Sequence, residues 1–172
     1  MNVVLLSIIL GLISESDAGE KIPIKLDFDI SKFVGQWYFV GIGMKPGDDI
    51  SDIINPVYVT PENCHLQVKF LIFKDGECVS YKFEARRTLI GGNFRLSEEK
   101  QLTVMDTDYS HTAIYMTIHR NRYEVRQYIT YLSRTPEVSK RGLEMYQRLV
   151  DLAGLENHSL IQFRNKSPCI TQ

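Results

Sequence analysis

The residues of this 172-residue chain that could do more than pack are three cysteines, four histidines and a set of phenols and hydroxyls, with one arginine among them. His65, His111, His119 and His158 are scattered, with neither the short gaps of a metal site nor the spacing of a nucleophile–base pair. Surface or pocket-rim histidines are the expectation, with no metal and no cofactor. Cys64, Cys78 and Cys169 in an exported chain imply one disulfide and one thiol left over. Three pairings are open, and the spacing does not choose among them. Bond-making chemistry is therefore not expected, and the protein reads as a binder rather than an enzyme. The phenols and hydroxyls lie within β-rich runs, where they could orient a bound molecule. Arg126 could pair a carboxylate there or simply face solvent.

The elements that would hold these groups belong to one domain. The chain is 44% hydrophobic and 24% charged, ordinary for a folded protein of this length. Val3 to Ile13 is an apolar run followed by small residues at Ser16 and Ala18, so residues 1–18 read as a cleaved secretory signal and 19–172 as the folded domain. That run is well short of the ~20 residues of a spanning helix, so stable membrane insertion is not expected. The net charge of −1 becomes 20 basic against 19 acidic residues once Glu15 and Asp17 are removed (21 − 2 = 19), and this near-neutral balance suggests neither nucleic acid nor an anionic membrane as a partner. An extracellular location follows, and with it possible glycosylation at the sequons of Asn157 and Asn165.

From Trp37 to about Leu132 short β-rich runs alternate with turn signals, and no long amphipathic helix interrupts them. Runs over 36–44, 53–60, 66–73, 78–86, 93–96, 102–105, 112–119 and 122–131 read as eight strands. Asp75-Gly76 is a hairpin signal, and Gly91-Gly92 another turn. Only the first connection, Lys45–Asp52, is wide. Eight strands in succession satisfy their edges best as an all-β, antiparallel up-and-down barrel. The strand around Ile114, Met116 and Ile118 is apolar on both faces, so it needs a cover outside as well as a core inside. Leu143, Tyr146, Val150 and Ala153 form one helical stripe after a Ser139 cap and before Gly154, which supplies that cover. Leu160–Arg164 could add a last short strand.

Three stretches then line up in order: Gly35-Gln36-Trp37 opening the first strand, Thr107-Asp108-Tyr109 between the sixth and seventh, and Arg134 closing the eighth. Together with the helix and the trailing Cys169, the chain resembles the lipocalin family over nearly its whole mature length. The pattern is similar to reproductive-tract, odorant-binding and neutrophil-lipocalin-like members. The resemblance implies that Arg134 lies over the Trp37 indole at the closed end, that Cys78 pairs with Cys169, and that Cys64 is left unpaired in a turn. An enzymatic branch of the family carries a nucleophilic cysteine on the second strand. The matching position here is near Ile54, and Cys64 comes about ten residues later, in a hairpin turn.

The resemblance further implies a secreted carrier of a small lipophilic ligand such as a retinoid, steroid, fatty acid or odorant. Period-2 reading places Phe39, Ile54 and Tyr58 of the first two strands inside. It adds Val68, Phe70, Ile72, Tyr81 and Phe83 from the next two, and Tyr115, Thr117, Arg126, Tyr128, Thr130 and Leu132 from the last two. These side chains either surround a cavity or fill it. A siderophore-binding member is the alternative ligand class, but its three inward cations match Phe83, Thr117 and Tyr128 here. Another alternative is an interaction module using the outer surface, with a cell-surface receptor as partner. The expected state is a monomer or weak dimer.

Overall fold

The computed structural model describes residues 22–47, 54–163 and 169. The expected leader, most of the first loop, Asn165 and the side chain of Ile54 lie outside them. A short helix α1 (Ile30–Phe33) precedes β1 (Gly35–Met44), β2 (Ile54–Glu62), β3 (His65–Lys74) and β4 (Glu77–Arg87). Then come β5 (Asn93–Arg95), β6 (Lys100–Thr107), β7 (Thr112–Arg120) and β8 (Val125–Ser133), followed by helix α2 (Lys140–Leu152) and β9 (Ser159–Gln162). From β2 to β8 each strand pairs antiparallel with the next, and β1 closes the ring by pairing with both β2 and β8. Asp75 and Gly76 both take positive φ, the geometry that makes a two-residue turn match strand twist, and Lys74 faces Glu77 across it. The expected eight-stranded barrel with an external helix is thus the fold.

Strand β1 serves three neighbours because it is bent. Its register shifts between Phe39 and Gly41. Before the shift Gly35–Trp37 pair with Val57–Val59 of β2, and beyond it Gly41–Met44 pair with β9. On the opposite side of the ring β5 has only three residues and meets β4 through two pairs, Arg86↔Arg95 and Arg87↔Phe94. Among the described residues the rest of that edge of β4 has no strand beside it, so the wall is notched there.

Two cores flank the sheet. One lies inside and at the closed end, around Phe28, Phe33, Trp37, Val59, Phe94 and Leu132. The other lies outside, where Val40, Ile114, Met116, Ile129 and Tyr131 meet Tyr146, Leu149 and Val150 of α2. Ser139 caps α2 by accepting the Gly142 N–H at 3.0 Å. Gly142, Tyr146, Leu149, Val150 and the C-cap Ala153 are the buried positions, with Leu143 on the flank of the contact. The missing side chain at Gly142 is required, since a Cβ there would lie 1.7 Å from the Tyr131 hydroxyl. Cys78 and Cys169 form the disulfide, 91 residues apart in sequence, while Cys64 is free and exposed. Helix α1 was not legible as a helix. It is a single turn started by Asp29, whose carboxylate accepts the Ser31 N–H at 2.9 Å.

Candidate functional site

The floor of the barrel is built from the three stretches singled out by type and order. Trp37 is completely buried at the head of β1 and donates its indole N–H to the Phe33 carbonyl at 2.8 Å. The Arg134 guanidinium carbon lies 3.7 Å from the centre of that ring. Its N–H groups reach the Gln36 carbonyl at 2.7 Å, Val34 at 3.1 Å and Tyr109 at 3.0 Å. A five-donor planar cation suits this cluster, since an ammonium would have to serve every carbonyl from one nitrogen and has no flat face to lay on the indole. Gly35 makes room for it. Its φ is +104°, and a Cβ would approach the guanidinium to 3.3 Å. Burial lowers the Arg134 pKa from its ordinary value.

The turn opposite is a polar knot. Asp108 accepts N–H bonds from His111 and Thr112, both at 2.8 Å. Burial alone would raise its pKa, but these two bonds, together with the charges of His111 and Arg141, outweigh it and hold the carboxyl below its usual range. Thr107 donates to the Thr112 carbonyl and accepts from Tyr109, whose own hydroxyl accepts the Asp29 N–H at 2.9 Å. Every one of these groups faces structure, not the interior space, so the motifs seal the barrel and leave recognition to the walls.

On the walls, cross-strand partners share a face. Val68↔Phe83, Phe70↔Tyr81 and Ile72↔Val79 set one inward surface, on which Phe70 stacks with Tyr81 at 5.8 Å and 8° between planes. Tyr115↔Thr130, Thr117↔Tyr128 and Leu132↔Phe39 set the surface on the other side. These positions agree with the alternation read from the sequence. Tyr58 does not. It pairs with Lys69 and Gln36 on the outer face, while Val57 and Val59 point in. The cause is an irregularity in register between Ile54 and Val57, which breaks the count of two that links Ile54 to Tyr58. Leu66, Ala85, Leu102 and Val104 also face inward. The signal for Leu66 and Ala85 was present as alternation, since each shares the parity of Val68 or Phe83 on its own strand. Arg126 shares the inward face with His119 at the open end, yet it is exposed and bound to Glu124 at 2.8 Å. Asn157 is exposed just before β9.

The interior is not uniformly filled. Among residues that include Phe33, Val59, Leu66, Val104 and Leu132, and reaching Val68, Phe83 and Tyr115, only about 30 Å³ is left, room for little more than a water molecule. Val68, Phe83 and Tyr115 of that lining, and Phe70, Thr117 and Tyr128 beyond it, are only partly buried, and Tyr81 is 40% exposed. On β7 and β8 the outward residues Ile114, Met116, Ile129 and Tyr131 have none. The hydroxyl of Tyr115 shares a hydrogen bond with Thr130, and burial pushes its pKa up to about 12, so it is a neutral donor and acceptor.

A family profile described as "Lipocalin / cytosolic fatty-acid binding protein family" matches residues 34–167. Among curated relatives, epididymal-specific lipocalin-5 of Mus musculus is 28% identical over 125 residues, covering 68% of this chain and 65% of that protein. Major urinary protein 2 of Mus musculus is 22% identical over 152 residues, covering 84% of this chain and 83% of that protein. Beta-lactoglobulin of Notamacropus eugenii is 27% identical over 177 aligned positions, covering 98% and 99%. A solved structure described as "The Siderocalin Ex-FABP functions through dual ligand specificities" matches with a TM-score of 0.66 at 17% identity, covering 82% of this chain and 99% of that one. At that identity the likeness is one of fold.

Proposed function

The chain belongs to the lipocalin / cytosolic fatty-acid binding protein family, and from that premise we propose that it is a secreted, non-catalytic carrier of one small, neutral lipophilic molecule. Proteins of this family typically bind small hydrophobic ligands and are generally not enzymes. The observation that carries the proposal is the inverted burial of β7, where the barrel-facing Tyr115 and Thr117 are more accessible than the outward Ile114 and Met116. A solid core would bury the inward side chains as fully as the helix-covered outer ones, because they would then cover one another. The ligand occupies the upper half, between the Phe70–Tyr81–Phe83 wall and the Tyr115, Thr117 and Tyr128 hydroxyls.

The site's electrostatics favour a neutral ligand with a hydroxyl or carbonyl oxygen. Arg126, the inward-facing cation of β8, is already engaged by Glu124 and hydrogen-bonded to Tyr128. A free fatty acid or an anionic iron complex would find no unpaired positive charge on Phe83, Thr117 or Tyr128, and desolvating an uncompensated anion is costly. Retinol-like alcohols, steroids and volatile odorants fit this lining better than retinoic or fatty acids. The Cys78–Cys169 disulfide is consistent with export to an oxidising compartment.

Native mass spectrometry of protein from its natural source, with displacement of a fluorescent lipophilic probe, tests the reading. A co-purifying neutral lipid, and probe binding lost in Phe83→Arg, are expected. Failure of every neutral lipophile to displace the probe, or unchanged probe affinity in Phe83→Arg, would overturn it.

A further inference from the structure

The turn joining β4 to β5 raises two aliphatic side chains into solvent. Leu89 is 106% exposed and Ile90 48%. Leu26, 71% exposed, lies beside them, because its backbone crosses the turn at Gly91, where a Cβ would sit 1.9 Å from the Leu26 carbonyl oxygen. The tip is held in one shape. Thr88 donates its N–H to the Asn93 carbonyl at 3.1 Å and accepts the Ile90 N–H at its hydroxyl. The Asn93 N–H returns to the Ile90 carbonyl at 3.2 Å. A tip already ordered loses little conformational freedom on docking.

Directly behind the tip the surface is basic. Arg86 and Arg95 sit opposite each other across β4 and β5, a like-charge pairing that by itself disfavours the sheet. Glu84 reaches Arg86 at 3.2 Å, but Arg87, Arg95, Lys100 and Arg120 make no ion pair among the described residues. All five cations line one open concavity of about 900 Å³ together with Leu89 and Ile90. Glu98 and Glu99 enter it from the loop at the other end of β5. A near-neutral total charge does not weigh against such a patch, since interactions at a surface are felt only over about 8 Å at physiological salt.

We propose that this face is a peripheral docking surface for a membrane containing anionic phospholipid. Leu89, Ile90 and Leu26 enter the boundary between headgroups and acyl chains, while Arg86, Arg87 and Arg95 meet the lipid phosphates. A soluble polyanion would engage the arginines but leave Leu89 in water. The conjunction of exposed aliphatic groups with a cluster of cations, of which only Arg86 has an ion-pair partner among the described residues, fits a surface that is both anionic and apolar. The docking is reversible and independent of the barrel interior, so it stands apart from the carrier proposal.

Vesicle flotation of the purified protein tests it, using phosphatidylcholine with and without phosphatidylserine. Expected results are binding only to the anionic vesicles, weakening with salt, and loss in both Leu89→Glu/Ile90→Glu and Arg86→Glu/Arg95→Glu. Thermal melting and lipophilic-probe affinity of both variants stay at the parent values, which separates this test from that of the carrier. Absence of flotation with phosphatidylserine vesicles overturns the proposal. So does parental flotation by Leu89→Glu/Ile90→Glu. Retention on heparin that is lost only in the arginine variant, without vesicle binding, would assign the face to a sulfated polysaccharide instead.

Discussion

Tyr115 and Met116 are neighbours in β7, and the one that points into the barrel is the more accessible of the two, for Met116 has no exposed surface at all. Met116 lies in the outer core that α2 covers, whereas Tyr115 faces the barrel interior. The two side chains therefore divide stability from recognition.

Met116→Ala should cost about 2–5 kcal/mol, the range for truncating a large buried aliphatic side chain, and leave ligand affinity unaltered. Tyr115→Phe should do the reverse. It removes one hydroxyl, so a ligand that uses it should bind about threefold to tenfold more weakly, the equivalent of one hydrogen bond, while stability falls by only about 1 kcal/mol for the lost bond to Thr130. Urea denaturation and probe displacement on the two variants check the division. Equal effects of both on both measurements would contradict it.

Arg134→Lys keeps the charge but gives up the planar fork that serves the carbonyls of Gln36, Val34 and Tyr109. The loss of cation–π contact and of carbonyl partners should destabilise by roughly 3 kcal/mol. Probe affinity should hold below the melting transition, because Arg134 seals the floor and does not line the upper cup. Thermal denaturation with and without ligand measures both.

Asp108 makes acid stability a property of the Thr107–Thr112 turn. Its folded pKa lies below the ordinary value of 3.8. The stabilisation is therefore present in full above that ordinary value and is lost as pH falls through the lower, folded value. Asp108→Ala should cost about 2 kcal/mol at neutral pH by freeing the N–H groups of His111 and Thr112. The gap between variant and parent should close as the pH is lowered into the acid range. Denaturant titrations across that range decide it, and a gap independent of pH would count against the carboxylate's role.

Gly142→Ala tests the seat of α2. The added methyl would meet the Tyr131 hydroxyl at 1.7 Å, so the helix must lift or Tyr131 must turn. A loss of about 1–3 kcal/mol is expected from overpacking, even though alanine is the better helix former. An increase in melting temperature would show that the helix–barrel contact is looser than this geometry requires.

Removing the Cys78–Cys169 bond by Cys169→Ser releases a loop closed across 91 residues. The chain-entropy relation puts the loss at no more than about 4.7 kcal/mol. Denaturation of parent and variant under non-reducing conditions gives the value, and a negligible difference would mean the tail is held by its packing alone.

Much of this architecture was legible because it rests on local rules. Alternation set the strand faces, Asp75-Gly76 could form only a tight turn, and Ser139 with Gly154 bracketed the covering helix. A chain apolar on both sides of β7 required two cores. The order of Gly35, Trp37, Asp108 and Arg134 marked the closed end. What the chain alone could not decide depends on registers and distances that no local pattern encodes. The irregularity before Val57 turned Tyr58 outward, since one displaced residue exchanges the two faces of everything beyond it. Arg126 met Glu124 at the rim, a pairing visible only once the strand ends are placed. The run over 93–96 was already short in the sequence, but the bare tip at Leu89 beside Arg86 and Arg95 emerged only once β4 and β5 were paired. Periodicity assigns a side chain to a face, but how much of that face is filled follows from how closely distant strands approach.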